Sequence, residues 1–438
     1  MEYFRKHEVQ SLRTARAPLG GRALRVLILS HRYSPAARAS HLYRGLAEAL
    51  VARGHEVGVL TKLPADYLPE GAESPSTPPA EREVMNGVEV TRVRGMTGIH
   101  RGVFMRGIEH LVLGFAFARA LRGLPKPDVV IAICPPLPVA LVGAFFAKTS
   151  GAPLVLNLHD LYPRTAIELS VLSNPGLIWI LRRIERFVYS SPEEIVVTAP
   201  GAVDYLVDER EVPADRVTLV QNWVNVSSVR PDGSDNGFRS GLGLGNGFVV
   251  TYAGVMGFAQ DLSTTIDCAR VSDDGDDTQF LLIGDGPLAD KWRAQAADVS
   301  TVRFLPFMSE DRYFDALRAS DVCLVPLIAS LASPAIPGKI QSIMAVSRPI
   351  VAIVPPESDA ARVIEASRCG FVVPPGDVDG LRRVLRQLKA EPQLAEELGA
   401  NGREYAEANF SLESAALRYE RTLEKAVHRV TATTGSQG

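Results

Sequence analysis

One lysine stands alone in a run of small and apolar residues, SPAIPGKIQSIMA at 333–345. Lys339 follows a Pro-Gly pair and opens a helical pattern. Backbone amides, the positive end of a helix and an ammonium group can all address one anion there, so Gly338 and Lys339 suit a phosphate, with Gln341 and Ser342 next along as further candidate contacts to the same ligand. A lysine laying its stem over apolar surface is the plain alternative. A second centre is His159-Asp160, which closes the apolar run PLVLNL and precedes LYPRTAIE. A histidine beside a carboxylate at a strand end can manage a proton or hold a hydroxyl. Asp160 could equally cap the helix that follows. Tyr162 and Arg164 share that turn, and His31, Arg32, Arg38 and Ser40 follow the earlier run RVLILS. Two glycine turns complete the set: Gly254, Met256, Gly257 and Gln260 in YAGVMGFAQ, and Gly284, Asp285 and Gly286 in IGDGP. Glycine lets backbone approach a ligand or presents amides to an anion, although neither turn has the full dinucleotide-binding spacing.

Such residues act only if strand ends bring them together. Short runs rich in β-branched residues (RVLILS, EVGVLT, DVVIAI, PLVLNL, EIVVTA, VTLVQN) alternate with helical patterns through the first half. That alternation predicts parallel strands joined by crossover helices. Residues 226–247, SSVRPDGSDNGFRSGLGLGNGF, read as a linker, after which the pattern restarts with FVVTYAG, FLLIGDG, VRFLPF, VCLVPL, PIVAIV and FVVP. A chain of 438 residues is long for one core. The expected fold class is therefore α/β, two Rossmann-like doubly wound domains facing across a cleft, at 23–225 and 248–411. A helix at about 412–430 is expected to pack back on the first domain, and residues 1–22 form a basic arm.

Composition narrows the function classes. Hydrophobic residues make up 46% and charged residues 22%, proportions of a soluble globular protein. Residues 1–225 carry 26 Lys and Arg against 22 Asp and Glu, the remainder 21 against 28. No basic stripe accompanies this mild asymmetry, so nucleic acid is not an expected partner. The four cysteines are scattered singly, without the close pairs of a zinc site or a disulfide scaffold, and read as reduced thiols of a cytoplasmic protein. The acidic run SDDGDDTQ (272–279) reads as a solvated loop, and no metal is expected. No run has the length of a membrane span. LVLGFAFARAL (111–121), flanked by Arg94, Arg101, Arg106, Arg119, Arg122 and Lys126, suggests peripheral contact with anionic lipid on the inner face of the cytoplasmic membrane.

Taken in order, these stretches resemble the family 4 glycosyltransferases of GT-B fold, of the bacterial surface-polysaccharide and O-antigen type. The likeness runs over most of 25–425: YSP with LAEALVARGHEVGVLT, LVLNLHDLYP, VVTAPG with DRVTLVQNWVN, YAGVMG, FLLIGDGP, VRFLPF with LRASDVCLVPL, PGKIQSIMAVSRPIVA and CGFVVPPGD. The resemblance implies retaining transfer of a hexosyl or N-acetylhexosaminyl group from a nucleotide diphosphate sugar to a lipid-linked or small glycosyl acceptor. It implies no cofactor and no metal. On matching positions, Lys339 would neutralise the donor diphosphate together with amides near Gly338. Gly284 and Gly286 would lie near the nucleotide, His159 beside the transferred sugar, and Asp160 would orient it or bind acceptor hydroxyls. The chain departs from the family pattern where carboxylates often stand, at Ser342 and Pro334. It has Val255, Met256 and Gln260 where an Arg and a Lys are frequent, and AARAS in place of paired glycines in the first loop. A non-catalytic nucleotide-sugar-binding or partner protein is the reading those departures favour.

Overall fold

A computed structural model of the protein describes residues 22–33, 40–63, 81–95, 103–168, 170–224, 226, 229, 231, 237–272, 277–330 and 334–435. Nearly all of the expected basic arm, Arg38 and residues 273–276 of the acidic loop lie outside them. The chain forms two compact α/β units, Met1–Gln221 with Leu412–Gly438, and Asn222–Ser411.

In the first unit the strands are β1 (Arg25–Leu29), β2 (Glu56–Lys62), β3 (Arg82–Met85), β4 (Val88–Val93), β5 (Val129–Cys134), β6 (Leu154–Leu158), β7 (Glu194–Val197) and β8 (Val217–Leu219). They lie in the order β3-β4-β2-β1-β5-β6-β7-β8. All pairs are parallel except β3 with β4. Strands such as β5 are buried along their whole length, because helices cover both faces and leave no wet side to alternate with. Period two still assigns the faces. Leu27 and Leu29, Val130 and Ala132, Leu156 and Leu158 join one core with residues of α2 (Val103–Leu121), α3 (Leu137–Ser150) and α5 (Pro175–Ser190). Asn157 points the other way and donates to the Tyr419 hydroxyl of the C-terminal helix, Leu412–Gly435, at 2.6 Å. That helix packs on α1 (Ser40–Ala52) and is bolted down by charge. Buried Glu420 meets Arg53 and His55, and buried Glu194 accepts from Lys425 and Arg429.

The second unit is a six-stranded parallel sheet in the order β11-β10-β9-β12-β13-β14. Its strands are β9 (Val249–Ala253), β10 (Gln279–Ile283), β11 (Val302–Leu305), β12 (Val322–Pro326), β13 (Ile350–Ile353) and β14 (Gly370–Val373). In both sheets the winding reverses once, between β1 and β5 and between β9 and β12. Ligands of doubly wound sheets gather beyond the strand ends at such a reversal.

Three expectations change. The β3–β4 hairpin was absent from the strand reading, because β3 is short and mostly polar. Its signal was Asn86-Gly87, both at positive φ (49° and 83°), as a two-residue hairpin turn requires. Residues 226–247 are not a plain linker: they hold the helix Phe238–Leu242, with Phe238 buried and Arg239 donating to Asp321 and to the carbonyls of Ala319 and Gly247. The division of the chain falls instead at Gln221–Asn222. VTLVQN pairs only over Val217–Leu219. All four cysteines are free and buried.

Candidate functional site

In the second unit the loops after β9 and β12 flank the reversal point. Lys339 begins the helix Lys339–Ala345 after the β12 loop, and its ammonium lies 4.0 Å from the centroid of the Tyr252 ring on β9. Tyr252 is held there by its hydroxyl, which donates to the Val255 carbonyl at 2.7 Å. A Cβ at Gly254 would come within 3.2 Å of the ammonium, so glycine leaves room for the cation. Among the described residues no carboxylate pairs with Lys339. Burial without a counter-ion pushes its pKa down to about 7. A cation packed on an aromatic face, with its solvation reduced and no carboxylate partner among the described residues, has the chemistry to pair with an anion.

The glycine turns serve a structural purpose first. A Cβ on Gly284 would stand 1.9 Å from the Gly254 carbonyl oxygen, and one on Gly286 would stand 2.6 Å from that of Met256. The two loops are pressed together by Gly254 N–H to Ile283 O and Met256 N–H to Asp285 O, at 2.9 and 2.8 Å. Glycine is needed so that backbone can meet backbone.

Several predicted donor contacts are committed within the fold. Met256 is fully buried in the core. Gln341, also buried, orients its amide nitrogen toward the carbonyls of Gly338 and Pro337, at 2.9 and 3.1 Å, and so fixes the turn before Lys339. Ser342 is hydrogen-bonded to Tyr313. Gln260 accepts from the Gly257 amide at 3.2 Å, and Asp285 from the Gly286 amide at 2.9 Å. Gly338 and Asp285 remain exposed. The reading from sequence missed Tyr252, which looks like any other residue of an apolar strand. It also missed Phe258, whose ring is exposed in the loop after β9.

In the first unit His159 follows β6. Its amide donates to the Cys134 carbonyl of β5 at 2.9 Å, and its ring meets Tyr43 edge-on at 5.3 Å. Its Nε2 is buried with no hydrogen-bond partner among the described residues. Burial lowers its pKa to about 4, so at neutral pH the imidazole is uncharged and available to a substrate hydroxyl. Asp160 does not cap the short helix α4 (Arg164–Glu168). Its side chain is exposed and makes no ion pair among the described residues, while the protein crowding it raises its pKa. His31, whose pKa is lowered by burial and then by Arg32, His110, His159 and Lys62, places a second histidine and a lysine nearby. The buried Lys62 donates to Glu109 at 2.6 Å. Lys62 and His110 carried no motif, because β2 and α2 bring them in from separate stretches.

Other acceptor candidates are differently placed. Arg164 is committed to Glu168 and Glu209, at 2.9 and 3.0 Å, and lies over the Tyr205 ring. Tyr162 packs on the core and its carbonyl accepts from Tyr189. Arg32 is exposed; Ser40 opens α1, and Arg38 lies outside the described residues.

Two family models match the chain in tandem: "Glycosyl transferase 4-like domain" over residues 39–223 and "Glycosyl transferases group 1" over residues 247–391. The chain belongs to the GT-B glycosyltransferases. Among relatives of the transferase, WbjE of Pseudomonas aeruginosa, named a probable glycosyltransferase, is 25% identical over 70% of this chain and 77% of its own length. WcaI of Escherichia coli K12, named for colanic acid biosynthesis, is 24% identical over 89% and 97%. The fold matches that of Anabaena HepE, solved with UDP, at TM-score 0.68 and 17% identity, over 91% of this chain and 99% of that one. It also matches WaaG, a glycosyltransferase involved in lipopolysaccharide biosynthesis, at TM-score 0.63 and 16% identity, over 89% and 98%.

Proposed function

We propose that the transferase takes a hexosyl or N-acetylhexosaminyl group from a nucleotide diphosphate sugar held by the second unit. It passes the sugar, with retention of configuration in the manner of family 4, to a lipid-linked or small glycosyl acceptor served by the first unit. Polysaccharide or other glycoconjugate assembly is the setting that the names of WcaI and WaaG suggest. The observation that carries this reading is Lys339, an ammonium without a counter-ion among the described residues, beside loops at the reversal of a doubly wound sheet. When the glycosidic bond to the donor breaks, negative charge grows on the departing diphosphate. A cation already in place stabilises that state more than the ground state, which is what accelerates the step. Because the protein supplies this charge, the proposed transfer proceeds with EDTA present. Neutral His159 offers a hydrogen bond at a hydroxyl of the transferred sugar, and Asp160 an acceptor for hydroxyl protons.

A panel of UDP-, GDP-, TDP- and ADP-sugars tests the proposal by thermal shift and by nucleotide release, each with and without EDTA. Stabilisation by one donor, with slow EDTA-resistant release that Lys339→Ala lowers by about one to three orders of magnitude, is the expected result. A second reading, a nucleotide-sugar-binding protein that does not turn over, is favoured by Ser342 and Pro334, which stand where the family 4 pattern often has carboxylates, and by Val255 and Gln260. The Ser342 side chain is already hydrogen-bonded to Tyr313 within the unit. Stabilisation with no release, even after lipid extract is added as a source of acceptor, would select it.

A further inference from the structure

The helices α2, α3 and α5 lie side by side over one face of the first sheet, α2 against α3 and α3 against α5. Their inner residues, including Leu113, Phe117, Ala140, Ala144 and Val188, enter the core. Their outer residues are not what a solvated helix layer presents. Of the twelve large apolar side chains exposed among the described residues, seven stand on these three helices: Leu111 and Phe115 on α2, Phe145 on α3, and Leu177, Trp179, Ile180 and Phe187 on α5. Scattered exposed apolar residues need no explanation, but a contiguous patch does. Trp179, Arg183 and Phe187 recur every four residues, which stacks them on one ridge of α5. The Arg183 guanidinium lies over the Trp179 ring at 5.2 Å, and the Phe187 ring meets Phe145 of α3 at 5.5 Å.

Charge decides what this face meets. The three helices contain two carboxylates, and neither is offered outward: Glu109 accepts from Lys62, and Glu185 is buried against Tyr205 and Arg210. The exposed charges are all cationic: Arg119, Lys148, Arg182, Arg183 and Arg186, followed by Arg122 just past α2. A second copy docked by the same face would set these cations against one another. A bilayer with anionic headgroups satisfies both features, since aromatic rings settle at the interface and arginines reach the phosphates. We propose that the outer face of α2, α3 and α5, centred on the Trp179–Arg183–Phe187 ridge, docks the protein on an anionic lipid surface. No helix among the described residues is long and apolar enough to cross a membrane, so this is attachment from one side. The arginine-flanked stretch singled out in the sequence supplies only part of the face, and α5 supplies its centre.

The test uses the full chain and vesicles of phosphatidylcholine with or without phosphatidylglycerol. Trp223 and Trp292 are buried, so a blue shift of tryptophan emission on binding reports Trp179. The expected result is partition onto phosphatidylglycerol vesicles about tenfold stronger than onto phosphatidylcholine alone, weakened by salt, with a blue shift. Trp179→Phe should bind within about twofold of wild type but lose the shift, while the double variant Arg183→Glu/Arg186→Glu should lose about tenfold in partition. Equal partition onto both vesicles, no partition at all, or unchanged binding by the double variant would overturn the proposal. So would a lipid-free dimer, seen by sedimentation, that Phe187→Ser dissociates, because the face would then belong to a second copy. Thermal shift with a nucleotide sugar in lipid-free solution checks that every variant is folded, and it separates a failure of docking from a failure of the transfer reading.

Discussion

Lys339 is costly where it stands, and that cost is measurable. Its folded pKa of about 7 lies below the ordinary lysine value of 10.5, so between those values the unfolded chain binds more protons than the folded one. Stability therefore rises with pH through that window, and the penalty is complete below pH 7. Lys339→Met should raise the melting temperature of the ligand-free protein at pH 6, with the gain shrinking toward pH 10; a gain independent of pH would dissociate it from the charge. The same substitution should lower turnover by about one to three orders of magnitude, read as nucleotide release under saturating donor. Donor binding should tighten as pH falls from 9 to 6, because protonation creates the cation that the diphosphate meets. Burial shifts His159 in the same direction but into a more acidic range. With its pKa near 4 it should remain neutral down to about pH 5, observable as an unshifted imidazole resonance in labelled protein while exposed histidines titrate.

Elements place these side chains through backbone contacts that single residues control. The loops after β9 and β10 touch at Gly284, where any Cβ would overlap the Gly254 carbonyl. Gly284→Ala should therefore destabilise the protein by about 3 kcal/mol in urea unfolding and weaken nucleotide binding with it. Loss of binding with unchanged stability would mean instead that the glycine faces the ligand alone. The C-terminal helix is held to the first unit by Glu420, buried between Arg53 and His55. Removing that carboxylate strands the partner charge, so Glu420→Ala should cost about 3–5 kcal/mol in the same experiment.

At the scale of the whole molecule, two doubly wound sheets were legible because buried parallel strands are written as apolar β-branched runs with helical spacing between them. Lys339 and His159-Asp160 were legible for a related reason: a charged or titratable group at the end of such a run has little structural purpose. What did not show in the sequence were partnerships between distant stretches. Tyr252 under Lys339, Lys62 and His110 beside His31, and Phe145 against Phe187 meet only because strand order and helix packing bring them together. The same packing commits Arg164, Gln341 and Met256 to the fold, although their positions suggested ligand contacts. Local chemistry, set by residue type and spacing, was thus determined by the sequence read as text. Which polar groups keep a free face for a ligand was decided by tertiary structure, because burial and hydrogen-bond satisfaction depend on neighbours that no local spacing specifies.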